Sequence, residues 1–291
     1  MGALLIGVVL LGLTNEPASM ARTDFVDDFL KGFACVIITG ASSGIGRAIL
    51  SRIEKSGTTA AVFNLSRTPP EGVPNSLKFS HLTCDLSQPH EIEKVVGELR
   101  KLMPRAGRIL LVNNSGFGAY GEFPAPDLAH TLRMVDVNMR AVVHLTGLLW
   151  PDLKARGGQV ATVASLAAYQ PTPLMTTYAA TKAFALHWSI ALDAEARPYG
   201  VRCVAICPGP VSTNFSKAAG FTGSTGIGGQ TAEACVDEAL HAMAKADPQV
   251  ITGWKHKLLG WFSARLPKPW AAAIGLRMIR RLRLDRYVKK A

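Results

Sequence analysis

Short apolar segments that alternate with longer amphipathic ones constrain the fold of this 291-residue chain more than any other feature. The short segments are β-branched or fully apolar, and they are Ala34–Thr39, Ala60–Leu65, Leu77–Leu82, Arg108–Asn113, Gln159–Ala164 and Val201–Cys207. The main helical stretches between them are Gly46–Lys55, Glu91–Met103, Leu128–Trp150 and Tyr178–Arg197. Continuously apolar strands must be buried on both faces, so the alternation predicts a doubly wound α/β fold with a parallel sheet.

Composition and length support one compact body. Apolar residues make up 48% of the chain and charged residues only 18%, which excludes a disordered protein. We find no internal repeat and no long linker, so the sequence predicts a single domain over 32–254. An apolar N-terminal segment, 1–31, precedes this domain, and a basic helical extension, 255–291, follows it.

The positive charge of the chain lies almost entirely in that C-terminal extension. The net charge is +11, and the last 37 residues hold eleven Lys and Arg against the single acid Asp285. The preceding 254 residues are therefore close to neutral. The body and the extension need separate explanations.

The N-terminal segment allows three interpretations. Met1–Asn15 is uncharged and mostly apolar, but as a helix it would span only about 22 Å, short of a bilayer core of roughly 30 Å. It could be a signal peptide, a weak anchor, or an upstream start with Met20 as the real initiator.

Cysteine usage indicates neither disulfides nor a metal site. The number of cysteines is five, and they include no Cys-x-x-Cys pair and no nearby His at metal-ligand spacing. Cys203 and Cys207 fall within an apolar run on one face of a strand. We interpret them as core thiols in a reducing compartment, which favours a cytoplasmic protein without a bound metal.

A glycine-rich turn joins the first strand to the first helix. The sequence Thr39-Gly-Ala-Ser-Ser-Gly-Ile-Gly46 lets the backbone approach a pyrophosphate closely and aims the helix N-terminus at it. A structural tight turn is the alternative. The placement between strand and helix favours a dinucleotide site of the Rossmann type, formed by Gly40, Ser42, Ser43, Gly44, Ile45 and Gly46.

The Gly-x-x-x-Gly-x-Gly spacing resembles that of the classical short-chain dehydrogenase/reductase family. Five further motifs and the isolated Asn138 occur in the family's order; the motifs are Cys84-Asp-Leu86, Asn113-Asn-Ser-Gly116, Ser165, Tyr178-Ala-Ala-Thr-Lys182 and Pro208-Gly-Pro-Val-Ser-Thr213. The resemblance covers about 32–254. It implies that Asp85 and Leu86 flank the adenine, that Asn114 lies along the cofactor, and that Pro208, Gly209, Val211 and Thr213 cup the nicotinamide.

Cofactor preference follows from the end of the second strand. Enzymes that use NAD place an acid there to bind the ribose 2′-hydroxyl, and this acid would repel a 2′-phosphate. Here Ser66 and Arg67 occupy the position, and the nearest acid is Glu71. Unless Arg67 is only a solvated surface residue, the sequence predicts NADP(H) in preference to NAD(H).

The candidate catalytic residues are Asn138, Ser165, Tyr178 and Lys182. Tyr178 and Lys182 are four apart on a helix, and we expect the ammonium to lower the pKa of the phenol for acid catalysis. An ordinary surface pair is the alternative. By resemblance, Ser165 hydrogen-bonds the substrate oxygen, Lys182 also holds the nicotinamide ribose, and Asn138 holds a relay water, unless it has a capping or kink role.

Two further segments bear on substrate and location. Val211–Gln230 is glycine-rich, and its Phe215 and Phe221 suggest an apolar substrate or packing on the body. The extension predicts two helices, Trp254–Leu266 and Trp270–Leu284, separated by Pro267 and Pro269. Its aromatic and basic residues fit an anionic membrane surface, or an apolar face docked on the body or on a second subunit. A nucleic-acid module is not recognisable, so no nucleic-acid partner is expected.

Together these features predict an NADPH-dependent reductase of an apolar ketone or 3-oxoacyl-type carbonyl, with tyrosine as the general acid. We expect a homo-oligomer in the cytoplasm, either free or peripherally attached to a membrane. An NADPH-binding regulatory or scaffold protein that acts through its basic extension is the alternative.

Overall fold

A computed structural model of the protein describes residues 16–281 apart from 214, 216–218 and 221–228, with side chains from residue 23 onward. The apolar segment Met1–Asn15, Phe221 and the end of the second predicted tail helix lie outside the described residues. The three-segment division of the chain remains a prediction.

The described chain forms one parallel sheet covered by helices. Its strands are β1 (Cys35–Thr39), β2 (Ala61–Ser66), β3 (Phe79–Thr83), β4 (Ile109–Asn113), β5 (Gly158–Val163), β6 (Val201–Cys207) and β7 (Gln249–Ile251). Their order is β3-β2-β1-β4-β5-β6-β7, and every neighbouring pair is parallel. The doubly wound fold is thereby confirmed, and β7 is a short edge strand that the sequence analysis missed.

Nine α-helices accompany the sheet in the described residues. They are α1 (Glu16–Lys31), α2 (Gly44–Lys55), α3 (Pro89–Leu102), α4 (Leu128–Val135), α5 (Ala141–Arg156), α6 (Thr176–Ala196), α7 (Ala232–Ala244), α8 (Trp254–Arg265) and α9 (Lys268–Arg281). The stretch Leu128–Trp150, predicted as one helical run, is interrupted by a π-helical turn over Asp136–Arg140. In the extension, Pro267 separates the two helices, whereas Pro269 lies in the first turn of α9, where a missing N–H costs nothing.

Alternate residues of each strand supply the two core layers. Val36 and Ile38 of β1 pack in one cluster, and Cys35 and Ile37 pack in the other. This division follows from the two-residue period of a strand. Burial on both faces explains why the strands are continuously apolar in sequence.

The five cysteines are free and buried, as predicted for core thiols. Burial raises the pKa of the Cys35 thiol to about 12 and that of Cys207 to about 11. Such thiols are poor nucleophiles at neutral pH.

Helix α1 packs on the sheet domain. Its Val26 and Leu30 are buried in the same cluster as Val36 and Ile38. Its Asp27 also pairs with Arg52 of α2. The second half of α1 therefore forms part of the hydrophobic core, although it precedes the first predicted strand.

Truncating Leu30 tests this contribution. We expect Leu30→Ala to lower the free energy of unfolding by about 2–5 kcal/mol, because it removes a fully buried side chain and leaves a cavity. Urea denaturation followed by circular dichroism measures the change. Leu102→Ala, at a position that is 55% exposed, should change it by less than about 0.5 kcal/mol. Equal effects of the two substitutions would contradict the role of α1 in the core.

Candidate active site

The sequence motifs meet at one edge of the sheet. The glycine turn follows β1, Asn114 follows β4, Ser165 follows β5 and Pro208 follows β6. All strands are parallel, so these four segments emerge at the same carboxyl edge. The strand order reverses between β1 and β4, and open α/β sheets bind ligands at that switch point.

The glycine turn is a cradle that side chains would fill. Gly40 has a φ of +72°, and a Cβ there would lie 2.6 Å from the Ser115 hydroxyl. A Cβ at Gly46 would collide with the Gly40 carbonyl oxygen and the Asn114 amide nitrogen. Asn114 Nδ2 donates to the carbonyl oxygens of Thr39, at 2.9 Å, and Gly40, at 3.1 Å. It thereby holds the turn against β4.

This turn fits a pyrophosphate. Helix α2 starts at Gly44, and the side chain of its N-cap residue, Ser43, makes no capping hydrogen bond. No acid lies in the first turn of α2, so its backbone N–H groups are available to an anion. Ser42 is half-buried, and Ile45 packs against the core behind the turn. The dinucleotide phosphates would be held here.

The end of β2 only partly follows the prediction. Arg67 is exposed. Burial raises the pKa of the Asp85 carboxyl, but the hydrogen bonds from Ser87 and, to a smaller extent, the charge of Arg67 hold it below its usual range. The Ser66 hydroxyl, however, donates to the Thr68 carbonyl oxygen at 2.7 Å and accepts from Asn64 at 2.8 Å. Ser66 thus has no spare hydrogen for a 2′-phosphate in this arrangement, and the recognition would fall to Arg67.

Asp85 and Leu86 lie at the neighbouring strand end, after β3. Asp85 Oδ1 accepts hydrogen bonds from both the backbone N–H and the hydroxyl of Ser87. Leu86 is buried and lines a small cleft with Thr39 and Ser115, beside the switch point. The structure therefore brings Leu86 next to the start of the glycine turn, and Asp85 precedes it at the end of β3.

The segment after β6 crosses toward the glycine turn. The Pro208 carbonyl accepts from the Leu166 N–H at 2.7 Å. Val211 pairs with Gln230 through an isolated bridge, and Thr213 methyl carbon lies 3.5 Å from a Cβ position at Gly44. The segment is thus fixed to both the β5 loop and the phosphate cradle. Gly209 lies in it, against the ring of His256.

Lys182 and Tyr178 are buried together on α6. Lys182 Nζ donates to the Val163 carbonyl oxygen at 2.6 Å and lies 5.9 Å from the centre of the Tyr178 ring. The two residues are 5% and 7% exposed, so an ordinary solvated surface pair is excluded.

The predicted pKa shift of the tyrosine is wrong for the chain alone. Burial raises the pKa of Tyr178 to about 12, and the Ser165 side chain only partly opposes this. Burial also lowers the pKa of Lys182 to about 8. Desolvation destabilises both the Tyr178 phenolate and the Lys182 ammonium. At this depth of burial it outweighs the expected attraction between the two charges. At neutral pH the phenol therefore holds its proton and the lysine is mostly charged.

Asn138 lies in the π-helical turn between α4 and α5. Its Nδ2 donates to the Phe117 carbonyl oxygen at 2.9 Å and to Thr181 Oγ1 at 3.0 Å, and its Oδ1 accepts from the Phe117 N–H at 3.1 Å. A Cβ at Gly116 would lie 3.0 Å from Asn138 Oδ1 and 3.2 Å from Lys182 Nζ. Asn138 thus joins the Phe117 backbone to α6, close to the lysine amine.

Ser165 caps a short 3₁₀ turn, Leu166–Tyr169, at the end of β5. Its Oγ accepts from the Ala167 N–H at 3.1 Å, which fixes the side chain beside Tyr178. All four candidate catalytic residues are therefore gathered around the carboxyl ends of β4 and β5.

A small, open cleft borders Tyr178, and both apolar residues and the threonines Thr131, Thr176 and Thr177 line it. Its larger lining residues are Phe123, Met134 and Leu174, and Phe215 lies 5.4 Å from the Tyr178 ring by ring centres. The sequence predicts substrate contacts in Val211–Gln230, whereas in the structure the segments around Phe123 and Leu174 also line the cleft. The glycine-rich Gly116–Gly121, which directly follows the Asn-Asn motif, was the available signal.

This combination of a dinucleotide cradle with a half-buried Ser beside a buried Tyr and Lys defines the class of NAD(P)-dependent oxidoreductases that interconvert alcohols and carbonyls. Residues 34–222 match the short chain dehydrogenase family, so the chain belongs to this family. The match covers more than half of the chain and includes every candidate catalytic residue.

Named relatives are consistent with this membership. A very-long-chain 3-oxoacyl-CoA reductase of Anas platyrhynchos is 27% identical over 268 residues, which make up 88% of this chain and 83% of the relative. A solved short-chain dehydrogenase of Sphingobium yanoikuyae in complex with NADPH is 26% identical, with a TM-score of 0.67 over 88% of this chain and 96% of that one. A 3-ketoacyl-(acyl-carrier-protein) reductase of Brucella melitensis complexed with NADH shares the fold, at 23% identity and a TM-score of 0.65 over 77% of this chain and 98% of that one.

The charge of Lys182 predicts a pH dependence of carbonyl reduction. If Tyr178 gives up its proton during reduction, a positive Lys182 would support the phenolate that remains, and this charge is lost as pH rises through about 8. We expect kcat/KM for reduction to fall above about pH 8, measured as NADPH oxidation from pH 6 to 10. In Lys182→Arg, any residual activity should lack this decline, because arginine stays charged. A wild-type profile that is flat to pH 10 would contradict the assignment.

Proposed function

We propose that this protein is an NADPH-dependent reductase of apolar ketones or 3-oxoacyl-type carbonyls. The observation that carries the proposal is the group of Ser165, Tyr178 and Lys182 beside a small cleft. Tyr178 and Lys182 are buried, Ser165 is half-buried, and the larger apolar residues of the cleft are Phe123, Met134 and Leu174. The phenol is protonated at neutral pH, as a general acid must be. The likeness to 3-oxoacyl-CoA reductases supports the substrate class.

The side chains divide the chemistry among them. The Ser165 hydroxyl and the Tyr178 phenol hydrogen-bond the carbonyl oxygen and polarise it. A nicotinamide cofactor held by the glycine turn would supply the hydride for the carbonyl carbon. Tyr178 donates its proton to the developing alkoxide, and the Lys182 ammonium stabilises the negative charge that stays on the phenol oxygen. Asn138 Oδ1 and Lys182 Nζ lie 3.0 and 3.2 Å from the same Cβ position at Gly116, so the two groups are close together. Asn138 would position a water beside Lys182 through which Tyr178 regains its proton.

Preference for NADP(H) rests on Arg67. This arginine is exposed at the end of β2, and no acid stands beside it on the strand. A guanidinium in this place can pair with a ribose 2′-phosphate, whereas NAD(H) offers it no charge. The NADPH complex of the Sphingobium yanoikuyae enzyme supports this choice.

We also propose a homo-oligomer that works in the cytoplasm or at a membrane surface facing it. Leu128, Leu132 and Val143 are exposed on α4 and α5 and offer an apolar contact area for a second copy. The free, buried thiols agree with a reducing compartment.

Replacement of the tyrosine tests the enzymatic function. Tyr178→Phe removes the proton donor without changing the packing of the ring, so we expect kcat to fall about 10²- to 10⁴-fold. NADPH oxidation with 3-oxoacyl thioesters and lipophilic ketones measures the rate, and Tyr199→Phe, at an exposed tyrosine, should match the wild type. Tight NADPH binding with no carbonyl turned over would instead favour the regulatory protein that the sequence left open.

Replacement of Arg67 tests the cofactor preference. Arg67→Ala should raise KM for NADPH about 10- to 100-fold, because it removes a charge-assisted hydrogen bond worth about 1.5–3 kcal/mol, and should leave KM for NADH nearly unchanged. Arg105→Ala is the control, since Arg105 precedes β4 and lies toward the opposite edge of the sheet. If NADPH and NADH were affected equally, Arg67 would not recognise the 2′-phosphate.

A further inference from the structure

Helix α8 presents its large apolar side chains outward and its small ones inward. Gly260 and Ser263 are buried against the body together with His256. The opposite side carries Trp254, Leu258, Trp261 and Phe262, which are 71%, 54%, 51% and 55% exposed. Their spacing of three to four residues places them on one face, here called the outer face of α8. Surface helices of globular domains normally have the reverse arrangement.

Cations surround this outer face. Arg265 follows on the same side, with its guanidinium carbon 3.9 Å from the centre of the Trp261 ring, and Lys255 Nζ lies 5.5 Å from that of Trp254. Residues 254–281 contain seven Lys and Arg and no acid. Helix α9 continues the pattern, with Trp270, Ile274 and Met278 exposed among its basic residues.

We propose that the outer face of α8 is a contact surface for anionic lipid bilayers. Tryptophans and basic residues together are typical of the region between lipid headgroups and acyl chains. The positive charge around the outer face is complementary to the negative charge of an anionic membrane. A symmetric contact between two copies through this face would instead bring two strongly positive helices together, which is unfavourable.

The contact is peripheral. Within the described part of the chain, no helix has both the length and the hydropathy to cross a bilayer. The apolar side chains of α8 reach outward from a helix whose other side is packed on the body. They would enter only the headgroup boundary of one leaflet.

The same helices pack on loops that frame the site. The ring of His256 lies against Gly209, and Leu166 Cδ1 lies 3.2 Å from a Cβ position at Gly260. Lys268 Nζ donates to the Tyr169 carbonyl oxygen at 2.8 Å. A bilayer on the outer face would thus lie close to the loops between Ser165 and Tyr178. A lipophilic carbonyl would then reach the site from the bilayer, an inference that rests on the proposed function. The membrane contact itself does not depend on that function.

Vesicle flotation of the full-length protein without substrate tests the contact. We expect the wild type to float with vesicles of phosphatidylcholine and phosphatidylglycerol in a ratio of about 3:1, less so at high salt, and not with pure phosphatidylcholine. The quadruple variant Trp254→Ser, Leu258→Ser, Trp261→Ser, Phe262→Ser should stay unbound. The matched control Leu102→Ser, Tyr199→Ser removes exposed apolar groups elsewhere and should float.

A charge variant separates the electrostatic part. Lys255→Gln, Arg265→Gln should lower the partition coefficient about 25-fold, at about fivefold per cation. Lys101→Gln, Arg105→Gln should leave it unchanged. Equal effects of the two pairs would show that net charge alone, and not this surface, binds the lipid.

Two further measurements distinguish a loss of lipid contact from a loss of folding. NADPH binding, followed by its fluorescence, reports whether each variant is folded, and it fails independently of flotation. Wild-type tryptophan fluorescence should be quenched by brominated lipids, and Trp254→Phe, Trp261→Phe should reduce that quenching, with the remainder from Trp270, while still floating. A folded quadruple variant that floats like the wild type overturns the proposal. So does flotation abolished only by deletion of 1–15, or a quadruple variant that changes the oligomeric state alone.

Discussion

The bond between the Lys182 ammonium and the Val163 carbonyl is the interaction on which the site depends. It is 2.6 Å long and fixes α6 to the end of β5, in a place where an unpaired ammonium would be strongly destabilised. Ser165 follows that strand end by two residues, and Tyr178 lies one helical turn before the lysine. One buried contact therefore sets the relative positions of three candidate catalytic side chains. Burial also destabilises the charged form of Lys182 and thereby lowers its pKa.

The sheet and most of the site could be predicted because they are local in sequence. Continuously apolar strands can only be buried on two faces, and parallel strands place their following loops at one edge. The motif after β1 and the residue Ser165 after β5 had to meet for this reason. The six predicted strands match β1 to β6 to within two residues at either end.

What the sequence could not supply depends on tertiary contacts. The pKa of Tyr178 depends on the depth of burial, which a four-residue spacing does not reveal. Strand β7 is too short for a two-residue period to be visible, and it forms by pairing with β6. The Ser66 hydroxyl is taken up by the carbonyl of Thr68, a turn contact that depends on backbone conformation alone. The outward orientation of the large apolar side chains of α8 could not be predicted either, because the sequence does not show which side of the helix faces the body.

The π-helical turn at Asp136–Arg140 determines which side of α5 faces the sheet. A π turn accommodates one extra residue, and one residue of an α-helix corresponds to about 100° of rotation. The apolar stripe of α5 is therefore out of phase with that of α4. Without the extra residue, Leu145 and Leu149 would rotate away from the sheet against which they are now fully buried. The helix that brings Asn138 to the site thus covers the sheet only because its phase is reset there.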